Sequence, residues 1–180
     1  MTKKIKDKVY TKNVIEFITI AKEYCAFVED TGKLSAKLFL EKSQMLLPLL
    51  YLKTSMLSKF ETVSKESNEK FVSEEDWNYI KNKIAGLLGE IDVFVQVIEP
   101  ISQFEGDSIN VSLSEIFADI YQDLRDTIAI FVIGNEDMMN DALWECKLNF
   151  EQYWGQRTIV ALSTIHNINY GAKDIPDDNK

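Results

Sequence analysis

Apolar residues recur at three- and four-residue spacing along nearly all of this 180-residue chain, and that one period restricts the fold to packed helices. No sustained alternation of apolar and polar residues predicts a strand, and no internal repeat is present. The first helix is expected from about Thr11 to Asp30, with Val14, Phe17, Ile18, Ala21, Cys25 and Val28 on one face and Gly32 as its stop. A second runs from about Ser35 to Leu57. It is apolar almost all round through Met45-Leu-Leu-Pro-Leu-Leu-Tyr-Leu52, which suits a deeply buried helix or a subunit interface. Pro48 lacks a backbone donor and crowds the carbonyl of Gln44, so a kink is expected there.

A polar connector of no sustained period, residues 58–72, is expected to be the most mobile internal segment. Ser73-Glu-Glu-Asp76 then starts a third helix that keeps phase to about Ile98 and is stopped by Pro100. Residues 99–111 read as a loop. Ser112-x-x-Glu115 is a capping box opening the fourth helix, which Gly134 ends. Asn135, Glu136 and Asp137 begin the fifth, reaching about Asn167 with Gly155 as a weak point. The expected architecture is all-α: a five-helix, mainly antiparallel bundle with a Pro-kinked second helix. Residues 1–10 form a flexible basic N-terminus, 11–170 a single helical domain and 171–180 a flexible tail.

Charge and cysteine content narrow the class of function. Residues 1–12 carry five lysines and Asp7, about +4 within a net charge of −9, which leaves a body near −13. Such a body repels phosphate backbones, so no nucleic-acid partner is expected. No apolar run is long enough to span a membrane and no signal-peptide core is present, so the expected location is cytoplasmic. Cys25 and Cys146 fall among apolar helix positions as small buried hydrophobes do, and nothing in their placement calls for an oxidising compartment.

Chemistry-bearing residues concentrate between Ser112 and Arg157. Nine acids (Glu115, Asp119, Asp123, Asp126, Glu136, Asp137, Asp141, Glu145 and Glu151) stand there against Arg125 and Lys147. Glu115, Asp119 and Asp126 share a stripe roughly opposite the core of the fourth helix. Asp141, Glu145, Asn149, Gln152 and Gln156 form a similar stripe on the fifth. Carboxylates so spaced on facing helices can hold a divalent cation, and a solvated acidic face explains them as well. The single histidine, His166, has no Glu three residues before it, so a ferritin-like di-iron site is excluded. A magnesium site built from acids remains open, as in all-helical nucleotide pyrophosphohydrolases, although only Asp123-x-x-Asp126 approaches their paired motifs. No cofactor is otherwise expected.

Arg157 breaks the packing pattern. It falls near the centre of an apolar stripe made by Met139, Leu143, Cys146, Phe150, Tyr153, Trp154, Ala161 and Ile168. A guanidinium there needs a carboxylate partner, and Asp123 or Asp119 are the first candidates. Two roles satisfy the requirement: an ion pair that fixes helix register, or an anion receptor lined by Tyr153, Trp154 and Gln156.

The runs Val14-Ile-Glu-Phe17, Leu46-Leu-Pro-Leu-Leu-Tyr-Leu52, Asp119-Ile-Tyr-Gln-Asp-Leu124, Asn140-Asp-Ala-Leu143 and Asn149-Phe-Glu-Gln-Tyr-Trp-Gly155 resemble a bacterial family known only as domain of unknown function 5063. The resemblance spans about Tyr10 to Tyr170. It implies a small helical bacterial protein and transfers no catalytic residue. The expected function is a non-enzymatic binding or interaction module that uses the last two helices, with an unknown protein or small molecule as partner. The alternative is a magnesium-dependent hydrolase of a phosphorylated small molecule or nucleotide. The apolar second helix leaves a homodimer open.

Overall fold

The computed structural model describes residues 2–64, 68–97 and 108–171. Helix α1 covers Thr2–Val9, α2 Lys12–Glu29, α3 Ala36–Ser55, α4 Glu74–Leu88, α5 Leu113–Ile133, α6 Glu136–Asn149 and α7 Gly155–Tyr170. A π-turn at Phe150–Trp154 joins α6 to α7 into one rod. The class is all-α, and α2, α3, α4, α5 and the α6–α7 rod are the five expected helices. Helix α1 is an addition. The lysine-rich start, expected as a frayed terminus, coils because Ile5 and Val9 share one face; both are buried, on a helix packed against α6. Residues 172–180 of the expected tail lie outside the described residues.

Helices α2 to α6 each begin where a side chain can take the orphan backbone donors of the first turn. Thr11 accepts from Val14, Ser35 from Leu38, Ser112 from Glu115, and Asn135 from Asp137 and Met138. Ser73 and Asp76 form a reciprocal capping box. Gly134, at φ 80°, ends α5 in the left-handed conformation that costs glycine least.

The third helix is shorter than its apolar phase predicts. Gly89 turns to φ 57° and ends α4, and the chain enters an antiparallel hairpin of β1 (Val93–Val97) and β2 (Ser108–Ser112). Val93 pairs with Ser112 and Val95 with Asn110. Strand geometry wins because Val93, Val95 and Val97 alternate with Phe94 and Gln96, and β-branched residues favour the pleat. The buried carboxylate of Asp92 closes the hairpin base. It accepts from the Ser114 backbone at 2.7 Å and from the Ser112 and Ser114 hydroxyls at 2.9 and 2.8 Å. Most of the expected loop, residues 99–107, lies outside the described residues.

Contacts between named residues give the chain directions. Asn13 meets Met56, Glu16 meets Lys53 and Phe27 stacks on Phe39, so α2 and α3 are antiparallel. Trp77 meets Asp119 and Lys81 meets Glu115, so α4 and α5 are antiparallel too. Tyr24 stacks on Phe117 and donates to its carbonyl while Glu29 meets Tyr121, so α2 and α5 run parallel. Helix α5 is central, with Phe117, Ile120 and Leu124 fully buried.

Helix α3 runs unbroken through Pro48. It is not buried all round: Leu38, Met45, Leu49, Leu52 and Met56 are exposed, while Phe39, Leu40, Leu47 and Leu50 fill the core. Both cysteines are free and buried. Among the described residues no helix is long and apolar enough to cross a membrane.

Candidate functional site

Three elements bring polar side chains together around Asp119 of α5. The Arg157 Nε of α7 lies 3.2 Å from Asp119 Oδ2, an ion contact in which the N–H is not aimed at the oxygen. The Tyr153 hydroxyl donates to the same oxygen at 2.8 Å, and the Trp77 indole Nε1–H of α4 donates to Oδ1 at 3.1 Å. The Arg157 guanidinium carbon sits 5.1 Å from the Tyr153 ring centre, within cation–π range. Lys81 lies 5.0 Å over the Trp77 ring and 3.8 Å from Glu115, so charge alternates along this edge of the bundle.

The π-turn explains why Arg157 is not in the centre of the core. The Gly155 N–H bonds the Phe150 carbonyl, an i→i+5 step that inserts one residue into the helical phase. The apolar stripe read at 3.6 residues per turn therefore loses its register after Phe150. Trp154 turns fully inward and stacks edge-on against Phe150, Tyr153 turns out to 48% exposure, and the Arg157 side chain stops at 29% exposure. Glycine suits the position where the turn closes, because a Cβ at position 155 would press on the Phe150 carbonyl oxygen and ring.

The six predicted residues consequently separate. Arg157, Asp119 and Tyr153 meet. Gln156 is exposed beside them on α7, and Trp154 is buried in the core with its Nε1–H unpaired among the described residues. Asp123 belongs elsewhere: its Oδ1 accepts from Asn149 Nδ2 at 2.9 Å. Burial pushes the Tyr153 hydroxyl up to about 12, and its hydrogen bond to the Asp119 carboxylate acts in the same direction. The sequence reading missed Trp77. Its signal was the indole N–H, a donor that seeks a partner wherever the ring is covered.

Asp126, Asp141 and Glu145 of the acidic stripes face the connector rather than solvent. Asp126, only 4% exposed, accepts from the backbone N–H groups of Phe71 and Val72 at 2.8 and 3.0 Å. Asp141 accepts from Val63 and Ser64, each at 2.7 Å, and its neighbour Asn140 donates to the Glu61 carbonyl at 2.7 Å. Glu145 receives Asn68 at 2.9 Å and Lys70 at 2.8 Å. These bonds hold the described parts of the connector, residues 58–64 and 68–72, whose composition suggested mobility, and Phe60 and Val72 are buried with them; residues 65–67 lie outside the described residues. Asp123, Asp126, Glu145, Lys70 and Asn149 line a cavity of about 10 Å3, room for about one water. Among the described residues no group of three or more His, Cys, Asp or Glu side chains converges so as to hold a metal ion.

Residues 8–171 match a family model described as a domain of unknown function (DUF5063). The chain is also similar to a crystal structure of protein BF1032 from Bacteroides fragilis, at 37% identity and a TM-score of 0.83. That similarity covers 93% of this chain and 99% of the other. No curated protein matches. The family model spans nearly the whole chain, and the chain belongs to the family of domain of unknown function 5063.

Proposed function

We propose that this protein is a non-enzymatic binding module whose contact face lies where α5 and α7 meet, and that Arg157 receives an anionic group of the partner there. One observation carries the reading. Arg157 has the Asp119 carboxylate 3.2 Å from Nε as an ion contact and the Tyr153 ring on its face, and none of its nitrogens donates a hydrogen bond to a described residue. A guanidinium oriented in advance loses little freedom on gripping a carboxylate or phosphate, and its fork suits either group. The exposed Tyr153 and Gln156 beside it supply an amphipathic ring and a neutral hydrogen-bonding group, both common in contact surfaces. Breaks of the π type within helices are frequent where a side chain must be presented for use, and this one presents Tyr153 and Arg157 together.

Thermal unfolding with succinate, phosphate, nucleotides, magnesium and manganese tests the reading. A ligand of the folded state raises the transition as RT ln(1 + [L]/Kd). The expected result is a saturable rise with an anion, removed in Arg157→Gln. A flat response to every anion contradicts the proposal. A rise with magnesium or manganese alone favours the metal-dependent hydrolase instead.

A further inference from the structure

Helix α3 carries a second surface, remote in the sequence from the Arg157 cluster. Leu38, Met45, Leu49, Leu52 and Met56 are 39%, 69%, 38%, 51% and 44% exposed. At 100° per residue all five fall within a stripe about 60° wide, on the side of α3 away from Phe39, Ser43, Leu47, Leu50 and Thr54, which are buried. Core burial therefore does not explain them. A row of Leu and Met on a surface helix, broken here only by Glu41 and Lys42 between Leu38 and Met45, is the kind of seam by which one helix packs on another.

The spacing identifies the other helix. Leu38, Met45, Leu49 and Met56 lie nine and two residues either side of position 47, so four of the five are placed symmetrically, and only Leu52 faces a polar counterpart, Lys42. An arbitrary partner would not require this symmetry, whereas a two-fold pairing of α3 with itself does. Run antiparallel about that point, Met45 of one protomer lies level with Leu49 of its partner, and Leu38 lies level with Met56. Lys42 comes level with Leu52, which its methylene stem can cover, and Glu41 comes level with Lys53, which Glu16 of its own protomer already holds at 2.7 Å.

The available area is also of the right order. Five such side chains make a patch in the range of about 300–600 Å2 that bounds the largest apolar patch on a typical monomer. An open groove of about 550 Å3 adjoins the row, lined by Ala26 and Phe27 of α2, by Leu34 and by Leu46, and it extends the apolar surface toward the about 800 Å2 per partner that a stable dimer buries. We infer that the protein is a two-fold homodimer that pairs antiparallel copies of α3 through Leu38, Met45, Leu49 and Met56.

Sedimentation and light scattering of the full chain at micromolar concentration, joined to cysteine cross-linking, test this. The wild type is expected at twice its 20.7 kDa mass. Met45→Glu and Leu49→Glu are expected to run as monomers with unchanged helical circular dichroism, since both positions are solvent-facing in the protomer. An equimolar mixture of Leu38→Cys and Met56→Cys chains should oxidise to a cross-linked heterodimer, while Leu38→Cys alone should not cross-link. A monomeric wild type, a dimer unaffected by either Glu substitution, or efficient cross-linking of Leu38→Cys to itself would each overturn the inference.

Discussion

The buried carboxylate of Asp126 holds the backbone N–H of Val72 at 3.0 Å, so an acid of α5 fixes the point at which the connector turns into α4. The same oxygen takes the Phe71 N–H at 2.8 Å, and Lys70 stands 3.7 Å from the other oxygen. Removing the carboxylate leaves the buried Val72 donor unpaired, while Lys70 keeps its bond to Glu145 at 2.8 Å. Asp126→Ala is expected to lower stability by about 2–4 kcal/mol, whereas Asp126→Asn, which keeps one acceptor, should lose about half as much. Urea unfolding midpoints at constant m value measure both. Equal losses in the two variants would show that charge, not the backbone acceptor, is what matters at this position.

How far the sequence foretold this arrangement depends on whether period or partnership decided it. Helix limits at Thr11, Ser35, Ser73, Ser112 and Asn135 were legible because each cap acts within four residues of its own position. The hairpin at Val93–Val97 was hidden because Ile91 and Val95 also continue the phase of α4, and a single glycine conformation decided between the two. Arg157 was recognised as anomalous, but its depth was overread, since a π-turn changes the phase without an unambiguous sequence mark. The roles of Asp126 and Asp141 were invisible for a different reason. Their partners are backbone donors some 54 to 78 residues away, and an acid facing such donors has the same local pattern as an acid facing water.

Asp123 should make stability fall as pH rises. Burial is the main cause that pushes its carboxyl up to about 6. The Asn149 donor and Lys70 oppose the rise, and Glu145 and Asp126 reinforce it. A folded-state value above the ordinary 3.8 means that the native protein binds the proton more tightly than the unfolded chain does. Its contribution is therefore fullest below about pH 4 and is lost through about pH 6, the reverse of a salt-bridged aspartate. Asp123→Asn should gain about 1–3 kcal/mol over wild type near pH 7.5 and little near pH 4. Stability curves that stay parallel across that window would refute the assignment.

Two glycines on helices should respond oppositely to alanine. A Cβ at Gly86 meets nothing within 4 Å inside α4, so Gly86→Ala should stabilise by about 0.5–1 kcal/mol through helix propensity alone. At Gly155 the same methyl meets the Phe150 carbonyl and ring, and Gly155→Ala should cost about 1–3 kcal/mol. Thermal melts of the pair decide whether the π-turn needs glycine. A neutral Gly155→Ala would show that it does not.

Neither thiol should react while the protein is folded. Burial pushes Cys146 up to about 12 and raises Cys25 as well, and both side chains are nearly inaccessible. Ellman's reagent at mildly alkaline pH is expected to label both cysteines only at the rate of unfolding. A rapid phase in native buffer would contradict the packing described for α2 and α6.

The central claim is that Arg157 is oriented by Asp119 and Tyr153 for an anionic partner group. The Trp77 indole N–H reports on it directly, because it bonds the opposite oxygen of the same carboxylate and is one of only three indoles in the chain. In 15N-resolved NMR of the labelled protein, titration with the anion that raises the unfolding transition should move the Trp77 indole resonance saturably. The Trp154 indole, buried in the core, should stay in place. The same titration of Arg157→Gln should leave the Trp77 resonance still. A Trp77 resonance that ignores every anion in the wild type, or that moves equally in Arg157→Gln, would contradict the account.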